Sequence, residues 1–145
     1  MPDLPRQLSV DELAELFEGR TRFVELLAER EDPLEAAPEV IEELSEEEQL
    51  ETLAAHPAIG AKGLSARSAA EQGADADPVV LTDLAYLNQV YEEKFGFRFV
   101  VFVNRRPKAE ILEVLRRRLD RSREEELRTG LEELVAIARD RWEHR

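Results

Sequence analysis

Four times this chain writes serine, two residues and glutamate: at Ser9 and Glu12, Ser45 and Glu48, Ser68 and Glu71, and Ser122 and Glu125. The spacing marks a helix start, in which the serine hydroxyl caps the third backbone N–H and the glutamate reaches back to the serine N–H. Three of the four lead straight into apolar residues at helical spacing. Leu13, Leu16 and Phe17 follow the first, Leu50, Leu53 and Ala54 the second, and Leu127, Leu131, Leu134, Ala138 and Trp142 the fourth. A chain that opens helices so often has little room for a sheet.

The remaining segments agree. Phe23, Leu26 and Leu27 predict a short second helix stopped before Pro33. The helix after Ser45 must end before Pro57, because a proline disfavours helical backbone in the residue before it. Asp77-Pro78 is an N-cap followed by a first-turn proline. From there Leu81, Leu84, Leu87, Tyr91 and Phe95 predict a long amphipathic helix closed by Gly96. Pro107 opens a further helix with Ile111, Leu112, Leu115 and Leu119. Only residues 97–103, Phe-Arg-Phe-Val-Val-Phe-Val, have the composition of a strand. One strand makes no sheet, so a buried extended segment between helices is expected. The predicted architecture is all-α, a single-domain bundle of about six to eight helices over residues 1–145.

Composition narrows the function. The absence of cysteine excludes disulfides and thiolate metal sites, and two histidines far apart argue against a histidine metal site. No apolar run approaches the ~20 residues of a membrane span. The first residues lack the pattern of a signal peptide and the last three are not a peroxisomal address, so a cytoplasmic location is expected. Residues 1–55 carry 17 acids and 4 bases, which equals the whole net charge of −13. Nucleic-acid binding needs a basic surface and is disfavoured. The plain reading of the acidic third is solubility. A small anion remains possible near the arginines that follow residue 104.

Some residues are suited to chemistry. His56 stands at a helix end, where the dipole favours its charged form, and its ordinary pKa of ~6.5 permits proton exchange near neutrality. Taken alone, His56 is better explained as a bare C-terminal cap. Ser68 and Glu71 have the capping spacing too, but Gln72-Gly73-Ala74-Asp75-Ala76 follows, small and polar where the other boxes lead into core. Arg141 lies three residues after Ala138 and seven after Leu134, along or beside the buried stripe. An inward arginine wants a planar anion, unless its stem lies on the core and its head reaches water. Buried and without a sheet, residues 97–103 must find partners for their backbone N–H and C=O groups, and a heterocycle with ureido groups would supply them.

In order along the chain, these pieces resemble the 2-oxo-4-hydroxy-4-carboxy-5-ureidoimidazoline (OHCU) decarboxylases of uric acid breakdown. The resemblance rests on His56-Pro57 with Ile59-Gly60, Ser68 with Glu71-Gln72, Leu87-Asn88 with Tyr91, Lys94-Phe95-Gly96-Phe97, Ile111-Leu112 with Arg118-Leu119, and Glu132-Glu133-Leu134, Ile137-Ala138 and Arg141. It implies an all-α fold, no metal or organic cofactor, and a homodimer. It implies that His56 is the catalytic histidine, that Pro57 shapes its turn and that Glu71 is the acidic partner. Ser68, Gln72 and Arg141 would bind the anionic substrate, and Phe99 and Val101 would contact its ring largely through backbone groups. The family's usual proline after Lys-Phe-Gly-Phe is Arg98 here; an inward Arg98 would point to an altered substrate, such as another ureido-ring acid. The competing reading is an acidic helical interaction module without activity, which requires His56, Glu71 and Arg141 to be scattered.

Overall fold

The computed structural model describes residues 8–56 and 77–144. Among them are seven helices and no strand: α1 (Val10–Phe17), α2 (Arg22–Leu27), α3 (Pro33–Glu43), α4 (Glu46–Ala55), α5 (Pro78–Phe95), α6 (Lys108–Arg118) and α7 (Arg123–Glu143). The architecture is all-α, as the serine–glutamate spacing predicts.

Three of those sequences close both bonds of a capping box. The hydroxyls of Ser9, Ser45 and Ser122 accept from the N–H of Glu12, Glu48 and Glu125 at 3.1, 3.2 and 3.2 Å. The three carboxylates accept the serine N–H groups in return at 3.1, 2.9 and 3.1 Å. The bonds from the Ser122 backbone and then its hydroxyl hold the Glu125 carboxyl below its ordinary range. The fourth sequence, at 68–71, lies outside the described residues.

Helix α3 is the element that the pattern does not announce. Pro33 suits its first position, but Pro38 stands inside it. An interior proline removes the N–H that would bond the carbonyl four residues back, at a usual cost of ~3 kcal/mol or more. Here that carbonyl belongs to Leu34, and it accepts a hydrogen bond from Arg139 Nη2 at 3.0 Å instead. The helix then buries Leu34, Ala37 and Val40. A reading that treats Pro33 as a stop assigns no helix to residues 33–43; a side chain more than a hundred residues away makes one tenable.

The chain divides into two compact units, residues 1–56 with 131–145, and residues 57–130, so α7 contributes to both. In the first, α2 touches α1, α3 and α4. Its Phe23, Val24 and Leu27 are fully buried, and the rings of Phe17 and Phe23 meet edge to face at 5.1 Å.

In the second unit α5 packs on α6. Asp77 caps α5, accepting from the Val79 N–H at 2.8 Å, and Gly96 ends it in the left-handed region at φ 81°. The buried stripe is Leu84, Asn88, Tyr91 and Phe95. Leu81, expected in it, is 41% exposed. The Asn88 amide is satisfied within the helix, donating to the Leu84 carbonyl at 3.0 Å. After Gly96 the chain is extended without pairing, and Phe97, Phe99, Val100, Val101 and Val103 are all buried. The extended segment expected at 97–103 is therefore present.

If Arg139 substitutes for the missing helical N–H, Arg139→Met should cost about 1–3 kcal/mol in a urea titration, the penalty for an orphaned carbonyl. In a Pro38→Ala background, which restores that N–H, the same change should cost less than half as much. Equal costs in the two backgrounds would remove this role.

Candidate active site

Of the eight residues expected at the site, Pro57, Ser68, Glu71 and Gln72 lie outside the described residues. The other four are buried: His56 is 7% exposed, Arg141 2%, Phe99 2% and Val101 6%. His56 and Arg141 belong to the first unit, Phe99 and Val101 to the second.

His56 is the C-cap of α4. Its own N–H still bonds back to the Leu53 carbonyl at 3.2 Å, while its backbone has turned extended, as the residue before a proline must. His56 thus stands at the C-terminal end of α4 with its side chain buried.

Arg141 is on the buried stripe of α7 with Leu134 and Ala138, as helical phase predicts. Its Nη1 donates to the Leu16 carbonyl at 2.9 Å and its Nη2 pairs with Glu18 Oε1 at 3.1 Å. Both partners come from the C-terminal end of α1. Glu18 is the C-cap there, in the left-handed region at φ 62°, an uncommon place for a residue with a long side chain. The guanidinium is therefore a fixed fork, the shape that a planar carboxylate engages with two parallel bonds. No pattern in the sequence marks Glu18, because it stands on irregular backbone just past a helix.

The extended segment of the second unit is held by arginines. Arg118 Nη1 donates to the Val100 carbonyl at 2.8 Å. Arg106 donates to the carbonyls of Phe102 at 2.6 Å and Val103 at 3.1 Å. Among the described residues, nothing hydrogen-bonds the backbone N–H or C=O of Phe99 or Val101. Those groups are buried donors and acceptors of the kind that an unpaired ligand satisfies.

Behind the segment lies an ionic cluster whose acid, Glu126, no motif in the sequence announces. Glu126 is fully buried and Arg118 is 5% exposed. Glu126 Oε1 accepts from Arg118 Nε at 2.7 Å and from the Tyr91 hydroxyl at 2.7 Å, and Oε2 lies 3.0 Å from Arg121 Nη1. The Arg118 guanidinium stacks 4.6 Å from the centre of the Phe99 ring. One signal was available: Glu126 lies eight residues before Leu134 and fifteen before Arg141, in phase with the apolar stripe, so an acid there had to be buried. Arg98, by contrast, places Nε 3.5 Å from Glu92 Oε1 and stays 31% exposed along its side chain. Its charge has a carboxylate partner on α5.

Three comparisons bear on this geometry. The family model described as OHCU decarboxylase matches residues 2–143. A 2-oxo-4-hydroxy-4-carboxy-5-ureidoimidazoline decarboxylase of Haloferax volcanii is 34% identical over 108 residues, covering 71% of this chain and 64% of that protein. A uric acid degradation bifunctional protein of Bacillus sp. (strain TB-90) is 34% identical over 105 residues, 69% of this chain and 21% of that one. The matched part of the chain thus spans a little under two thirds of the Haloferax relative. A crystal structure of an OHCU decarboxylase in the presence of (S)-allantoin superposes with a TM-score of 0.76 at 23% identity, over 90% of this chain and 94% of that one. A crystal structure of an (S)-allantoin synthase gives 0.68 at 24%, over 92% and 48%. At such identities the two structures speak for the fold.

The cluster has a titration signature. Burial first, and then the bond to Glu126, raise the Tyr91 phenol well above its ordinary value of 10.0. The folded state holds the proton that the unfolded chain gives up, so this contribution to stability is complete below pH ~10 and is lost as pH climbs from there toward the raised value. Phenolate absorbance at 295 nm should show no ionisation of Tyr91 until the fold is lost, and Tyr91→Phe should leave the spectral titration below the unfolding transition unchanged.

Proposed function

The chain belongs to the OHCU decarboxylase family, and on that premise we propose that it decarboxylates OHCU to (S)-allantoin in uric acid breakdown. The observation that carries this reading is the match over residues 2–143, which takes in all of His56, Pro57, Ser68, Glu71, Gln72, Phe99, Val101 and Arg141. Two features of the structure support it: a buried guanidinium held as a fork at Arg141, and a buried stretch of backbone at Phe99 and Val101 without protein partners among the described residues.

The substrate carries a hydroxyl and a carboxylate on one ring carbon, next to an imine carbon. When the bond to the carboxylate breaks, carbon dioxide leaves, the bond's electron pair forms a double bond to the neighbouring carbon, and the imine pair moves onto nitrogen, which takes up a proton. The ring is its own electron sink, so the step asks for no cofactor. His56 takes the hydroxyl proton, the hydroxyl-bearing carbon becomes a carbonyl, and the neighbouring carbon gains a proton. Delivery of that proton to one face gives one enantiomer. Glu71 partners the histidine. Arg141, Ser68 and Gln72 grip the carboxylate and ureido group, and the backbone of Phe99 and Val101 holds the ring. General acid–base help of this kind is worth ~10²–10⁴-fold, and turning the carboxylate out of the ring plane adds to it. A homodimer working in the cytoplasm belongs to the same proposal.

The test generates the unstable substrate in situ from urate and follows its ultraviolet decay and the optical activity of the allantoin formed. The protein should speed decay and yield the (S) form; decay at the spontaneous rate would sink the assignment. His56→Ala and Glu71→Gln should each lower kcat/KM by at least ~10²-fold, and undiminished activity in either would remove that residue from the mechanism.

A further inference from the structure

We propose that Arg118 and Glu126 are positioning residues that aim the Val101 N–H at the substrate ring, an inference that rests on the function proposed above. A trans peptide is planar, with its C=O and N–H on opposite sides. The carbonyl of Val100 and the N–H of Val101 belong to one such unit, and no described peptide bond is cis. Because Arg118 Nη1 holds the Val100 carbonyl at 2.8 Å, the Val101 N–H is fixed pointing away from Arg118. The same guanidinium stacks on the Phe99 ring at 4.6 Å and so holds the residue on the other side of Val100. One side chain sets both neighbours.

Arg118 is itself immobilised. It is the last residue of α6, and Glu126, in the first turn of α7, takes its Nε at 2.7 Å. The Tyr91 hydroxyl from α5 and Arg121 complete the carboxylate's contacts. Three helices thus converge on the group that holds the Val100 carbonyl. Stability does not explain such a pair. Withdrawing two charges from water costs about what their attraction returns, and well-packed apolar replacements are often neutral or better. A planar fork with donors on two edges does explain it, since one edge reaches Glu126 and another the backbone.

The test uses the full chain and two variants. In R118M/E126L/Y91F the whole cluster is apolar, so no charge is left buried alone. In R118K the charge facing Glu126 is kept, but a single ammonium cannot make both bonds and stack on Phe99. Each is assayed for KM and kcat on OHCU generated from urate, for melting temperature, and for amide hydrogen exchange at Phe99 and Val101. Both variants should raise KM at least tenfold with a smaller fall in kcat, and speed exchange at these two amides while the amides of α6 keep their protection. A wild-type KM in R118K, where the charge pair survives, would overturn the proposal. So would a wild-type KM in the apolar variant; if that variant does not fold, R118K alone decides. A wild-type protein that never speeds OHCU decay would defeat the functional reading instead, and the exchange data would still show whether Arg118 orders the segment.

Discussion

An extended segment buried without a sheet must have each of its polar backbone groups satisfied individually. Residues 97–103 impose that constraint here, and the hydrogen bond from Arg118 to the Val100 carbonyl is its central answer. Much of the second unit is arranged to make that bond possible. α6 ends on Arg118, α7 supplies Glu126, and α5 brings Tyr91 to the same carboxylate. The aromatic side chains pack around this polar centre, with Tyr91 5.2 Å from Phe99 and 4.6 Å from Phe95 between ring centres.

The same solution recurs at other places where the backbone departs from a regular helix. Arg106 serves the end of the extended segment, Arg123 takes the Phe95 carbonyl where α5 terminates, Arg139 takes the carbonyl orphaned by Pro38, and Arg141 takes that of Leu16 at the end of α1. Arginine suits the task because it stays charged and its donors lie in a plane on a long arm. This gives the arginine-rich stretch after residue 104 a structural purpose. Among its bases, Arg106, Arg118, Arg123, Arg139 and Arg141 bond carbonyls of this chain, and Arg121 pairs with a buried carboxylate.

The legible part of the fold was local. Capping boxes, first-turn prolines and a terminal glycine are properties of a few consecutive residues, and they located the starts of α1, α4, α5 and α7 and the end of α5. Helical phase was enough to bury Arg141. Helix α3 was illegible because its viability depends on Arg139, which no window around Pro38 contains. Glu18 and Glu126 were missed for related reasons. Glu18 acts from a left-handed cap, and Glu126 passes for one more acid in a run of three until its phase against Leu134 is counted. Of the candidate site, His56, Arg141, Phe99 and Val101 were singled out by ordinary chemistry and family resemblance together, and the structure buries all four, whereas the cluster behind the extended segment needed coordinates. Long-range partners of backbone carbonyls leave no spacing to read.

The bond from Arg139 to Leu34 joins positions 105 residues apart, and the unit that it closes is built from the two ends of the described chain. On a ribosome, residues 1–56 emerge long before their partners. At ~5–20 residues per second, the intervening stretch takes roughly 4–15 seconds to synthesise. Through that interval α1 to α4 have an apolar face and nothing of α7 to cover it. The 17 acids of the first 55 residues then acquire a use beyond the solubility of the finished protein. A net charge of −13 in that stretch favours its solubility through that interval as well.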